Sequence, residues 1–194
     1  LAAGFQVEQQ LLEVAKSLIV EAGQELKWPI ALTMPRDGEM VIRLGTDHDC
    51  PRALERFHIG FSVPIVHATG GFCFLAHCTE EERPQQIAAA LRAARERGMG
   101  IMDPLEIEYQ VATARKRGWC NLEFSQYREG NVGVPLMAGG RVVGSVVMRY
   151  IKSVMRNTGQ IQQVYVPRLQ ELSAEITRRC DAWSQAQHGE RLAA

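Results

Sequence analysis

Hydrophobic positions recur at steps of three and four near both ends of the chain and at steps of two near its middle. Over residues 5–27, Leu11, Ala15, Leu18, Ala22 and Leu26 share one helical face, and Val7, Val14 and Ile19 widen it. This spacing predicts a long amphipathic helix. Trp28-Pro29 ends it, since the residue before proline avoids the α region. A second long helix is predicted over 161–183, with Ile161, Val164, Leu169, Leu172, Ile176 and Cys180 inward and Pro167 disturbing its first turns. Residues 186–194 read as a tail. Strands are expected at 29–34 and 40–46, joined by the turn sequence Pro35-Arg36-Asp37-Gly38, with a further short strand at 54–61.

Three helices are predicted in the centre. The first is apolar, carries Phe72, Cys73, Phe74, Leu75 and Ala76, and follows Thr69-Gly70-Gly71. The second opens on a capping box of Thr79 and Glu82, turns Ile87, Leu91 and Ala94 inward and stops at Gly98. The third starts at Asp103-Pro104 with Glu106 at the box position and runs to Arg117, where Gly118 ends it. After a strand at 119–124 and a polar loop at 125–130 comes a valine-rich hairpin over 132–150, turning at Ala138-Gly139-Gly140. Alternation puts Val143, Ser145, Val147 and Arg149 on one face of its second strand, and Val142, Gly144, Val146 and Met148 on the other. Both faces are largely apolar, which predicts a place inside a sheet covered on both sides. The order helix, three strands, three helices, three strands, helix predicts an α+β domain built on a mainly antiparallel sheet of about six strands.

Composition narrows the function. The 194 residues carry 22 basic and 22 acidic side chains, so the segment lacks the basic excess of a nucleic-acid grip. Five scattered cysteines do not make a disulfide framework and point to a reducing, cytoplasmic setting. No run approaches the roughly 18 apolar residues of a membrane span. Asp47-His48-Asp49-Cys50 mixes metal-ligating types, but they are consecutive and lack a second ligand pair at a standard spacing, so the stretch reads as a solvated loop and no metal is expected. No cofactor is implied. Catalysis by Cys73, Cys78 or Cys120 with His67 or His77 would need a base beside the thiol, which nothing in the spacing enforces. Cys73 reads as core filler and His67 as a hydrogen-bonded structural histidine. Arg149 stands out on its apolar face: it either lies just past the burial limit, against water or a carboxylate, or receives an anion in a pocket.

Three segments together resemble the effector-binding domain of the IclR family of bacterial transcription regulators. They are Val63-Pro64-Ile65-Val66-His67-Ala68-Thr69-Gly70-Gly71-Phe72-Cys73-Phe74-Leu75-Ala76, then Ala114-Arg115-Lys116-Arg117-Gly118-Trp119, and the hairpin strands from Val132 to Val147. The resemblance spans nearly the whole chain. It implies a PAS/GAF-like sensor over 1–194, with 1–27 as a linker or dimer helix, 28–185 as the sensory core and 186–194 as the tail. In such regulators an N-terminal winged helix-turn-helix binds operator DNA; none precedes the first helix here, so DNA would be met only through a domain outside this chain. The resemblance further implies a homodimer or tetramer, no enzymatic activity, and a small organic acid as effector. The family's effector-binding positions fall on Thr69, Gly70, Asn131, Val147 and Arg149. Many members carry small hydroxyl residues where this chain has Val147 and Arg149. That departure suggests a carboxylate held by Arg149, with an aromatic or other apolar body against Val147 and Phe72. An interaction-only domain with its interior filled by side chains is the alternative.

Overall fold

The valine-rich hairpin lies at the heart of the sheet in the computed structural model, which describes residues 2–155 and 158–193. Its strands are β5 (Glu129–Ala138) and β6 (Arg141–Ile151). Gly139 and Gly140 both take positive φ, 56° and 75°, which gives the two-residue turn whose twist matches that of the strands. β1 (Ile30–Arg36) and β2 (Glu39–Gly45) form the other hairpin, with β3 (Ser62–Pro64) and β4 (Cys120–Leu122) at the edges. The order is β3-β2-β1-β6-β5-β4, and every pairing is antiparallel.

Two strand expectations are corrected. The third strand is Ser62–Pro64, not 54–61; residues 46–61 form turns and bends fastened to the sheet by side chains. The alternation of β6 is broken at its start, because Leu136 pairs with Gly144 while Met137 pairs with Val142. Val143 is the extra residue of this bulge, so it joins the cluster of Val146 and Met148, and Val142 joins the opposite one.

Each face of the sheet carries its own core. On one side α1 (Ala2–Leu26) and α6 (Val166–Ala193) bring Leu11, Ala15, Ile19, Leu169 and Ile176 onto Leu32, Val134, Val146 and Met148. On the other lies α2 (Thr69–His77), buried at every position from Thr69 to Ala76, with α3 (Glu82–Glu96) and α4 (Pro104–Arg117) packed outside it. A helix apolar all round needs cover all round, and this layering supplies it. The capping box forms as expected: the Glu82 amide donates to Thr79 Oγ1 at 3.1 Å, and the Thr79 amide to Glu82 Oε2 at 3.2 Å. Arg83 and Arg115 donate to the carbonyls of Leu75 and Ala76 at the end of α2 and to that of Cys78 just past it, at 2.7–3.0 Å.

The last helix departs from expectation in phase and length. α5 (Thr158–Gln160) leads through a π-helical turn, Ile161–Tyr165, into α6 just ahead of Pro167. The wider turn shifts the face presented to the core, so Val164 is exposed and Val166 is buried. α6 then continues to Ala193 through the residues expected to form a tail; Ala194 lies outside the described residues. Among the described residues no helix is long and apolar enough to cross a membrane.

Candidate functional site

α2 starts directly above the α2-facing side of β1, β5 and β6. In the ladder Thr33 lies opposite Ser145, Ala31 and Gly133 lie on either side of Val147, and Asn131 lies opposite Arg149. The Thr33 and Ser145 hydroxyls are hydrogen-bonded at 2.8 Å. Gly70 is seated on them: a Cβ there would overlap Ser145 Oγ and crowd Thr33 and Val147. Gly71 has a second close neighbour, the Ile65 carbonyl, which a side chain would strike. Glycine at both positions therefore lets α2 descend onto the sheet while the 3₁₀ turn Ile65–His67 crosses behind it.

That helix start is electrostatically unfinished. Its N-cap, Ala68, offers no side-chain acceptor. The first amides of a helix have no partner within it, and together they carry the positive end of the helix dipole. Thr69, only 4% exposed, has a hydroxyl with no hydrogen-bond partner, and the Nδ1 of His67 is likewise buried and unpartnered. The expected hydrogen-bonded histidine is thus an orphan on this nitrogen. Thr69 Cγ2 would lie 3.4 Å from a Cβ at Gly133, so its side chain reaches toward β5. The structure brings Thr69, Gly70 and Val147 together, with Asn131 two residues along β5 from Gly133. Phe72 is elsewhere. It follows Gly70 by two residues, a large rotation round the helix, and is fully buried in the cluster that contains Ile107 and Val111.

Arg149 does look inward, with a side chain 11% exposed, but its guanidinium is already occupied. Nη1 donates to Glu129 Oε2 at 2.9 Å, and Nη2 to Asp47 Oδ1 and, at 2.9 Å, to the Glu55 carbonyl. The group stacks 4.5 Å from the centre of the Phe57 ring. Asp47 also accepts the Phe57 amide, and Glu129 the Leu54 amide, each at 3.4 Å. Burial lowers Arg149 to about 10, still charged at neutral pH, and pushes the Glu129 carboxyl up. Of the two readings of Arg149, the arrangement is the one in which it meets carboxylates. Arg149 is met by two carboxylates of its own chain and fastens residues 46–61 to the end of the β5–β6 hairpin. Asp47, read as part of a solvated loop, is 1% exposed.

Asp47 and Glu129 are the residues sequence reasoning missed. The signal was the antiparallel pairing of β1 with β6. The Arg149 amide donates to the Pro29 carbonyl, and the Thr46 amide to the Ile30 carbonyl, so the residue after Thr46 must fall beside Arg149. A buried guanidinium needs a counter-charge, and Asp47 is an acid that this register delivers.

The cysteines do not form a second site. Burial raises Cys73 well above the usual thiol range, with Cys120 beside it, and raises Cys120 to about 12 and Cys180 to about 11. A thiol protonated at neutral pH is a poor nucleophile. His77 Nδ1 is bonded to the Cys73 carbonyl at 2.9 Å. Among the described residues no three His, Cys, Asp or Glu side chains gather as a metal ion would need.

No family model matches the chain. Solved structures match its fold closely. IclR of Thermotoga maritima is 18% identical with a TM-score of 0.74, over 91% of this chain and 71% of that one. The C-terminal domain of the Escherichia coli transcriptional regulator KdgR is 18% identical with a TM-score of 0.70, over 89% of this chain and 99% of that domain. An IclR homolog from Microbacterium hydrocarbonoxydans, solved in complex with 4-hydroxybenzoate, is 18% identical with a TM-score of 0.72, over 90% of this chain and 69% of that one. At such identities the likeness is one of fold.

Proposed function

We propose, for a chain that has the fold of the C-terminal domains of IclR-family transcriptional regulators, that it is the small-molecule sensor of such a regulator and that its effector is a small carboxylic acid. One observation carries this reading: the buried, unpartnered Thr69 hydroxyl and His67 Nδ1 at the uncapped start of α2. Orphaned polar atoms at a helix N-terminus fit a carboxylate, which accepts from a hydroxyl and from first-turn amides. The Gly133–Val147 surface offers contact to an apolar body, and Asn131 lies at the far side for a polar substituent. An aromatic acid of the hydroxybenzoate type suits this arrangement, in keeping with the 4-hydroxybenzoate bound to the Microbacterium homolog. The anionic group goes to α2, and Arg149 holds residues 46–61 beside the site instead of meeting the ligand. Binding acts on a separate DNA-binding domain by favouring one arrangement of associated copies, since only differential affinity shifts such an equilibrium.

Calorimetric titration with 3- and 4-hydroxybenzoate and a panel of aliphatic acids tests the reading. At least one acid is expected to bind, and Thr69→Val is expected to weaken it by roughly tenfold to a hundredfold, the loss of a hydrogen bond to a charged group. Unchanged affinity in Thr69→Val would remove the assignment. The close seating of Gly70 on Ser145 favours a second reading, a domain whose interior is filled by its own side chains and which acts through its surface alone. Silence across the whole panel would support that reading.

A further inference from the structure

The candidate site is closed in this structure. The Thr69 hydroxyl and His67 Nδ1 are both cut off from solvent, and Ser145 and Val147 are 0% and 9% exposed. An acid reaches them only if part of the wall moves. The floor is β1, β5 and β6 inside the sheet, and the roof is α2, buried at every position from Thr69 to Ala76. Neither moves without breaking a close-packed core. The Thr33–Ser145 hydroxyl pair, with Gly70 seated on it, shuts one end. The other end runs along β6 to Arg149, two residues on from Val147 and on the same face.

Residues 53–59 lie over that end. They form no helix or strand and are mostly exposed, Ile59 at 64% and Leu54 at 44%. Both flanks of the segment are anchored. Ahead of it, Cys50 is buried and donates from Sγ to the Lys27 carbonyl, and Arg52 stacks on Trp28. After it, the Gly60 amide donates to the Ile42 carbonyl at 2.8 Å. Gly60 has a φ of 94° and open space where a side chain would be, so the chain can swing there without a clash. Between the anchors few bonds hold the segment down. The Glu55 carbonyl accepts from Arg149 at 2.9 Å, while the Leu54 and Phe57 amides reach Glu129 and Asp47 at 3.4 Å, long for hydrogen bonds. The Phe57 ring lies against Phe61 and against the Arg149 guanidinium, 4.5 Å away. An exposed, irregular segment with so few contacts belongs to the part of a fold that opens locally, well short of unfolding.

We propose that residues 53–59 are a gate over the acid site, hinged at Gly60 and latched by Phe57 on the Arg149 guanidinium. Arg149, Asp47 and Glu129 stay with the sheet as the fixed half of the latch, and Phe57 is the moving half. The inference rests on the ligand reading above for what passes through, but the gate itself can be read without a ligand.

Stopped-flow mixing with 4-hydroxybenzoate compares the parent with Phe57→Ala. Opening is needed both to enter and to leave. Association and dissociation are therefore both expected to quicken by about tenfold, the worth of a part-buried ring on a guanidinium, while affinity changes by less than about threefold. A side chain that only lined the site, or only stabilised the fold, would weaken affinity and leave the association rate where it was; that result overturns the proposal. The acid-free readout is Val147→Cys, a thiol placed under the gate in a chain whose native thiols are all buried. Its labelling by iodoacetamide is expected to run about tenfold faster with Phe57→Ala than without it. Equal labelling overturns the gate. Faster labelling in a chain that 4-hydroxybenzoate does not bind keeps the gate and removes the acid. Phe57→Leu, which loses the ring but keeps an apolar cover, takes the place of Phe57→Ala if the latter lowers the thermal melt.

Discussion

Arg149 shows how a single residue's meaning depends on its neighbours. On a bare strand an inward guanidinium resembles an anion receptor; flanked by Asp47 and Glu129 it is a fastener. Asp47 has a side chain only 2% exposed and Glu129 one 12% exposed, so removing the cation leaves two carboxylates short of a partner. Breaking a buried pair from one side costs about 3–5 kcal/mol, more than the pair contributes against an apolar replacement. Arg149→Ala is therefore expected to lower the unfolding free energy measured in urea by that order and to speed amide exchange across residues 46–61. If the unfolding free energy fell by less than about 1 kcal/mol, the network would be a surface decoration. Gly71 is the opposite case, a residue whose role is to have no side chain. Gly71→Ala drives a methyl into the Ile65 carbonyl and must displace the turn that carries His67.

Elements are held at their ends as much as along their faces. The start of α3 is closed by its own Thr79 and Glu82, and the end of α2 by arginines from α3 and α4. The start of α2 has no such closure, and that contrast makes it the candidate site. The amide of Thr79, followed by its hydroxyl, holds the Glu82 carboxyl below the usual carboxylate range. A lowered folded value means the contribution is present above the ordinary carboxylate pKa and is lost as pH falls through the lowered one. The melting difference between the parent and Glu82→Ala should be full at neutral pH and close as the solution is acidified; a gap independent of pH would argue against the box. The outer side of β5 shows another kind of closure. Its partner β4 reaches only to Gly133, and beyond it Ser173 and Thr177 of α6 donate to the Pro135 and Met137 carbonyls at 2.7 and 2.8 Å. Pro135 lacks an amide proton, so the strand is poorly suited to pair with a stray one.

For the whole molecule, two cores on opposite faces of one sheet leave little polar chemistry inside. All five cysteines are buried and unpaired. Burial pushes Cys73, Cys78, Cys120 and Cys180 up, so their thiolates are suppressed near neutral pH. Labelling with a thiol reagent is expected to track unfolding, with the native chain reacting slowly and completing only in denaturant. One thiol that labels rapidly in the native chain would revive a nucleophile and count against a sensor without enzymatic chemistry. The same architecture places α1 and α6 on one face and the candidate site on the other, with only the sheet between them. Thr46 ties β1 to α1 on the far face: its hydroxyl accepts the Ile30 amide at 3.0 Å and its side chain abuts Gly23.

Periodicity and end signals carried the architecture. The steps of three and four in α1 and α6, the alternation along β6, the paired turns and the Thr79 and Asp103 starts are local, so neighbouring residues were enough to read them. The short β3, the bulge at Val143 and the π-helical shift before Pro167 were not legible in that way, because each is set by the element it packs against. The site divided along the same line. Thr69-Gly70-Gly71 marked a helix start in the sequence itself, since glycine and a missing cap act over a few residues. The partners of Arg149 lie 20 and 102 residues away and met only when β6 paired with β1 on one side and β5 on the other. Spacing in the chain says nothing of such distances; the register of an antiparallel sheet decides them.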